Sequence, residues 1–377
     1  MTQSVGCEAC ASANKGRGTK GKVNIGGRCG FLAPREIRCS SKRRRALLVG
    51  TALATLAVFV PALPSTAAAA QATCVLNDPF GTSLNISQDG QLIARSGDAD
   101  LTCVNPVDRA HDAGPVIHLS TDDYGIDLQN TGALVAKTEA GIYARTRGLK
   151  GPIKIWNSGD ITAISSAIGL AGIVGNAGYL IGTSRNDVSI ENSGRIHLTT
   201  SGGAGYASYG IGARTHGGKV TIANSGVVEV TTRGSAFGLY GELERAGDVL
   251  DITNTGPVAA NGESSSFGIA AIAADNGQTF RITNEATVAA SSQSSRAIGI
   301  LATTLSSGEE ASFHIENKGR LMAECTDCPA YGVRVSPIKA KSETLIVNSG
   351  LIIADGQSDH TFGIDALSVG EAPASIS

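Results

Sequence analysis

The residue pattern with the clearest covalent chemistry in this 377-residue chain is Cys325 and Cys328, a C-x-x-C. That spacing suits a redox pair, half of a zinc site or a short loop staple. No thioredoxin-like βαβ pattern and no second C-x-x-C follow residue 70, so the staple is favoured. Acid–base work needs converging carboxylates. Asp127 and Asp365 occupy the same place after Gly-Ile but at opposite ends of the chain, and Asp122 and Asp123 are neighbours that a strand would turn to opposite faces, which reads as a charged rim. His111, His118, His197, His216, His314 and His360 are scattered and outside any H-E-x-x-H, and the chain has no G-x-S-x-G in a strand–turn–helix setting. They read as solvated side chains, any one of which could serve as a base. The Gly-rich "SGGAGYASYG" lacks the Lys and following helix of a phosphate loop. These residues assign no catalytic group, no cofactor and no metal.

The elements that would position any such group repeat along the chain. "DLQNTGALVA", "KIWNSGDITA", "SIENSGRIHL", "TIANSGVVEV", "DITNTGPVAA", "RITNEATVAA", "HIENKGRLMA" and "LIVNSGLIIA" place Asn at 130, 157, 192, 224, 254, 284, 317 and 348. The spacings are 27, 35, 32, 30, 30, 33 and 31, one supersecondary unit per repeat. A second motif runs out of phase: "YGIDL", "AGIYA", "IGLAG", "YGIGA", "FGLYG", "FGIAA", "IGILA", "YGVRV" and "FGIDA". Each unit is an alternating stretch, an Asn-Ser/Thr-Gly corner, a second alternating stretch, a small polar link and the Gly-Ile segment. Period-two alternation of β-branched residues argues strands, and Asn-Gly clusters argue turns.

The expected fold is all-β, a right-handed parallel β-helix of about three short strands per rung of roughly 31 residues. Its inward columns should hold Ile222, Ile252, Ile282, Ile315 and Ile346 on one wall and Leu239, Ile269, Ile300, Val333 and Ile364 on another. Gly at the corners is expected to supply positive φ. Asn tolerates the left-handed conformation, and its amide can donate and accept. Stacked rungs would then align Asn157, Asn192, Asn224, Asn254, Asn284, Asn317 and Asn348 into a hydrogen-bonded ladder. Recurrence in every rung favours scaffold over a ligand column. The enlarged links at 174–187, 200–208 and 303–311 are the places expected to carry binding.

Charge and cysteine use point to export. Residues 1–70 hold eleven of the 31 Lys and Arg but two of the 33 Asp and Glu, so the remainder carries −11. An acidic body with one Trp offers no basic, aromatic-interleaved surface, which argues against nucleic acid as a partner. "SKRRRALLVGTALATLAVFVPALPSTAAAA" has a basic start, an apolar core and small residues before a cut, the pattern of a signal peptide over 42–70 with cleavage between Ala70 and Gln71. The apolar run is shorter than the roughly 20 residues of a membrane anchor and is closed by Pro61 and Pro64. Arg44 and Arg45 loosely fit a twin-arginine signal. Residues 1–41 read as a disordered basic leader or a mis-assigned start. Four cysteines lie beyond the cut, and the economical pairing is Cys74 with Cys103 and Cys325 with Cys328. The organisation expected is a cap over 71–115 and a β-helix over 116–377.

A basic leader, a signal peptide and an array of I-x-N-S/T-G-x-I and G-I-x-A repeats over about 42–370 resemble the passenger region of bacterial autotransporters, the type V secreted proteins of Gram-negative outer membranes. The resemblance implies a passenger carried outward by a C-terminal β-barrel and displayed or released, often for adhesion to a host surface, matrix or neighbouring cells. The repeats run nearly to Ser377 without the aromatic-girdled strands of a barrel. The chain is therefore expected to be a truncated or incomplete passenger, on the cell surface or outside the cell by resemblance and periplasmic if the barrel is missing, with membrane contact only through that barrel. The expected role is a non-catalytic surface or adhesive module. The alternatives are a β-helix enzyme on polysaccharide, marked by charged side chains converging from adjacent rungs, and an inactive fragment with open strand edges.

Overall fold

The computed structural model describes residues 72–76 and 90–377, apart from breaks at 98, 149–150, 167–168, 179–185, 204, 246–247, 276, 306–310, 337–342, 359 and 368–373. The leader, the signal segment and the Ala70–Gln71 cut lie outside the described residues. Among those described, the regular elements are all strands, in sheets of eleven, nine and ten. One unit supplies one strand to each sheet: Lys219–Asn224 to the first, Val228–Thr232 to the second and Ser235–Leu243 to the third. Each strand pairs in parallel with its equivalent one unit on, so that Ile222 lies beside Ile252, Val230 beside Ala260 and Leu239 beside Ile269. The fold is a parallel β-helix.

The walls form because alternate residues are apolar and turn inward. Val228–Thr232 alternates buried residues with a half-buried Glu229 and an exposed Thr231, and Ile222, Ile252, Ile282, Ile315 and Ile346 are all fully buried. Leu239, Ile269, Ile300 and Val333 are fully buried on the third wall, while Ile364 is partly buried. Each such side chain contributes about 1.5–3 kcal/mol through removal from water. Phe280 and Phe313 stack inside the same core with ring centroids 4.7 Å apart.

The corners obey a different rule from the one expected. Among the described residues no non-glycine has positive φ, and the corner glycines are not among the five that do, at 90, 114, 178, 218 and 277. Asn ends its strand in ordinary backbone, so left-handed tolerance does not explain it. The glycine after it is needed for close approach instead: a methyl at Gly226 would collide with the Gly194 carbonyl oxygen, and one at Gly256 with that of Gly226. Ala286 takes this place in one rung, which shows that a single methyl can be accommodated there.

The second motif also needs correction in the early units. Gly125-Ile126 opens the Asn-bearing strand Ile126–Asn130, whereas Gly363-Ile364 lies in Phe362–Ala366 on the ten-stranded sheet. Asp127 and Asp365 are therefore on different walls, not at equivalent places. Asp127 lies beside Lys154, and Asp365 beside Arg334. In the next unit, Ala171-Gly172-Ile173, not the "IGLAG" glycine at 169, stands in line with Tyr209-Gly210-Ile211.

Within 71–115, Thr73–Leu76 runs antiparallel to Leu101–Asn105 and covers its edge. Parallel stacking has already begun in that segment, joining Leu92–Ser96 to Ile117–Thr121 and Leu101–Asn105 to Ile126–Asn130. Cys74 and Cys103 face each other across the antiparallel pair and are bonded, with Cα atoms 4.1 Å apart. Cys103 stands in the inward column, beside Leu128, so the bridge closes that end of the core.

Candidate functional site

The Asn column turns into the wall. Asn105 Nδ2 donates to Asn130 Oδ1 at 2.7 Å, and the chain of such bonds continues through Asn157, Asn192, Asn224, Asn254, Asn284 and Asn317 to Asn348. A second amide hydrogen goes to the carbonyl two residues on, as from Asn224 to Gly226 at 2.9 Å. From Asn105 to Asn317 each residue is at most 3% exposed. The amides are thus engaged within the protein rather than offered to a ligand. Asn105 was absent from the sequence register because Pro106 replaces the usual Ser/Thr, although Leu101-x-Cys103-x-Asn105 keeps the spacing. Cys325 and Cys328 are bonded to each other, buried in a small cluster with Ala297 and Ala330, and act as a staple between strands.

The outer face of the ten-stranded sheet is chemically varied. At Gly238 the strand carries two inward residues in succession: a methyl on Gly238 would collide with Val258 Cγ1, and Leu239 belongs to the core. The outward phase therefore slips by one, and Phe237 and Tyr240 both point away from the core, where they pack with each other and with Phe267. In register, Tyr209, Phe237, Phe267, Ile298, Tyr331 and Phe362 form an outer row. Phe237 stacks on Phe267 at 4.6 Å, Tyr209 on Phe237 at 5.1 Å, and the Arg334 guanidinium lies 4.4 Å from the centre of the Tyr331 ring. The sequence did carry the signal, since the residue before this glycine is aromatic in most of the motifs, but its direction depended on the slip.

A neighbouring row runs Arg95, Ser120, Arg145, Asn176, Arg214 and Glu242. Its middle is ion-paired. Arg214 Nε lies 3.5 Å from Glu242 Oε2, Arg214 and His216 both pair with Glu244, and Tyr240 donates its hydroxyl hydrogen to Glu242 at 2.8 Å. Burial, and then Glu242, push the Tyr240 phenol far above its ordinary value. Its N-terminal part is basic. Arg95, Arg145 and Arg147, with His118, Ser120, Asp122 and Tyr143, line a cavity of about 440 Å³. His118 meets Tyr143 edge to face at 5.3 Å. Burial first, then Arg95 and Arg145 against the pull of Glu139, hold the His118 imidazole below its ordinary value.

Compared with protein-family models, curated proteins and solved structures, the chain matches none.

The remaining histidines and carboxylates are dispersed. His197 bonds to Glu229 at 2.9 Å on the nine-stranded sheet, and Asp122 and Asp123 are both exposed beyond the strand Ile117–Thr121. Among the described residues no group of three or more His, Cys, Asp or Glu side chains could hold a metal ion. A shallower trough of about 300 Å³ runs outside the Asn corner, where Trp156 stands among Ser158, Ser193, Ser225 and Thr255. The enlarged links at 174–187, 200–208 and 303–311 include residues outside those described, and the charged cavity lies on the strand faces of the first rungs. Arg95 and Arg145 carry no motif in the sequence, and only the strand register aligns them with Ser120.

Proposed function

We propose that this chain is an exported, autotransporter-type passenger that works as a non-catalytic binding module, adhesive toward a host surface, matrix or neighbouring cells. The observation that carries the reading is the division of labour in the rungs. A uniform hydrogen-bonded interior supports an outer sheet face that is basic in the first rungs and, from the rung of Tyr209 and Arg214 onward, carries ion-paired and aromatic rows side by side. A stiff solenoid presenting extended, varied surface is suited to holding a partner along its length. The repeat motifs and signal segment support export. The test is to coat surfaces with matrix components or intact cells, apply the full chain and measure retention, alongside product release from polysaccharides. Retention without turnover is the expected outcome; turnover without retention would replace this reading.

The second reading, an enzyme acting on acidic polysaccharide, draws on one specific feature. Three adjacent rungs converge Arg95, His118 and Arg145 on one cavity, and an imidazole held below its usual value is an unprotonated base at neutral pH. The same measurement of product release separates the two.

A further inference from the structure

We propose that the trough outside the Asn corner, with Trp156 as its stacking platform, is a binding site for a neutral, extended glycan chain. The proposal deepens the binding-module reading and rests on it. The outward residues Gln129, Trp156, Glu191, Ala223 and Thr253 are successive partners on the eleven-stranded sheet, so the row follows the stacking axis through five rungs, about 19 Å. A column of hydroxyls runs beside it. Ser193, Ser225 and Thr255 each donate to an Asn carbonyl of the preceding rung, at 3.5, 3.3 and 3.4 Å, which leaves the hydroxyl oxygen to accept from outside.

Trp156 sets this wall apart from the other aromatic rows. Phe280 lies on Phe313, and Phe237 on Phe267, so those rings occupy one another's faces. Trp156 is half-buried, and its partners in register are Gln129 and Glu191, both exposed and neither a ring. An indole so placed offers an apolar plate to the C–H face of a sugar, while an amide and a carboxylate one rung to either side can bond sugar hydroxyls. The repeat matches as well, since one rung rises by about 4.8 Å, close to the length of one sugar in an extended chain. Among the described residues lining the trough, Glu191 is the one ionisable group, so an anionic polymer would meet no counter-charge. A peptide that adds a strand needs a sheet edge. The trough lies instead on a sheet face, between strands already paired on both sides. A small cation could use the indole and Glu191 but would leave the hydroxyl column without a role.

Trp156 is the single Trp of the chain, so its emission reports on this site. The experiment titrates the full chain with cellohexaose and chitohexaose, which are extended and neutral, with coiled, neutral maltohexaose and with anionic hexagalacturonate. Trp emission and the anisotropy of the labelled hexamers are the two readouts. A saturable change with at least one of the extended pair, at lower concentration than with the other two, is expected. Trp156→Ala should weaken that binding at least about tenfold by anisotropy, and Trp156→Tyr should retain part of it. Ala223→Leu, which fills the trough and leaves the indole in place, should weaken it too, separating loss of the site from loss of the fold. Tyr124→Ala, at an exposed ring outside the trough, should leave it unchanged. Binding unchanged in both Trp156→Ala and Ala223→Leu would overturn the proposal. So would binding of neither extended hexamer, tighter binding of maltohexaose or hexagalacturonate, or an emission change reached at lower concentration with tetramethylammonium, which would mark a cation site. In each of those cases retention on cells or matrix would leave the module reading standing. If the wild-type chain is retained on no surface, the module reading itself fails.

Discussion

The Asn wall and the outer face of the ten-stranded sheet are built from the same rungs, yet one keeps its residue and the other changes it. Inside, Asn224 is tied to Asn192 below and Asn254 above, and its own turn takes the second amide hydrogen. A different side chain there leaves partners on both sides without bonds in a place water does not reach. Outside, Arg145 is followed by Asn176, then Arg214, then Glu242. The row has no bond that must recur from rung to rung: Arg214 pairs with Glu242, but Asn176 and Ser120 stand at the same place in other rungs, so the stacking does not dictate the residue. In this solenoid, uniformity marks what holds the rungs together, and variation marks positions whose residue the stacking does not dictate.

The comparison can be broken from the inside first. Asn224→Leu should cost about 3–6 kcal/mol, because Asn192, Asn254 and the Gly226 carbonyl all lose a buried partner. Hydrogen exchange of the adjacent rungs is the suitable measurement, since solenoids open locally; an effect below about 1 kcal/mol would show that the ladder is not a main source of stability. Phe280→Ala should cost about 3–5 kcal/mol by emptying the stacked pair with Phe313, and denaturant unfolding would show it. Gly226→Ala should cost about 1–3 kcal/mol through the clash with the Gly194 carbonyl. The reverse exchange, Ala286→Gly, should be milder, and equal effects would argue against close approach as the reason for the corner glycine. On the outer face, Arg214→Gln should cost about 1 kcal/mol or less, because its side chain is 44% exposed. A loss as large as that of Asn224→Leu would erase the distinction between the two faces.

The smallest effect expected is on pH dependence. The His118 imidazole is held below its ordinary value in the folded chain, so on acidification the unfolded chain takes up the proton first. Its contribution therefore lowers stability as pH falls from about 6.5 toward the folded value, with no further change below it. Arg95→Gln should raise the folded pKa and shrink that loss, which an NMR titration with parallel urea midpoints would measure. A His118 pKa unchanged by the substitution would place Arg95 too far away to matter.

Alternation, unit length and β-branched content were enough to read a parallel β-helix, because they follow from period-two geometry and the need to bury one face of every strand. The inward Ile column could be read for the same reason. Corner chemistry was less legible. Asn and Gly both have left-handed tendencies, but here the backbone is ordinary and the glycine answers to a carbonyl in the rung below, a contact no local pattern reveals. Gly125-Ile126 and Gly363-Ile364 look alike in sequence and lie on different walls, since only pairing decides which sheet a strand joins.

The sequence by itself determined the kind of element, the repeat and the residues available to each column, since these depend on side-chain type and spacing. Tertiary structure alone decided phase and company. At Gly238 the chain can carry two inward residues in succession because Val258 leaves room for a hydrogen and not a methyl, and that slip turns Phe237 and Tyr240 outward together. Arg95, Ser120 and Arg145 are each 25 residues from the next, and nothing in the chain announces them as a set. They meet because stacked strands hydrogen-bond in a single register, which brings residues far apart in sequence within one sheet spacing of each other.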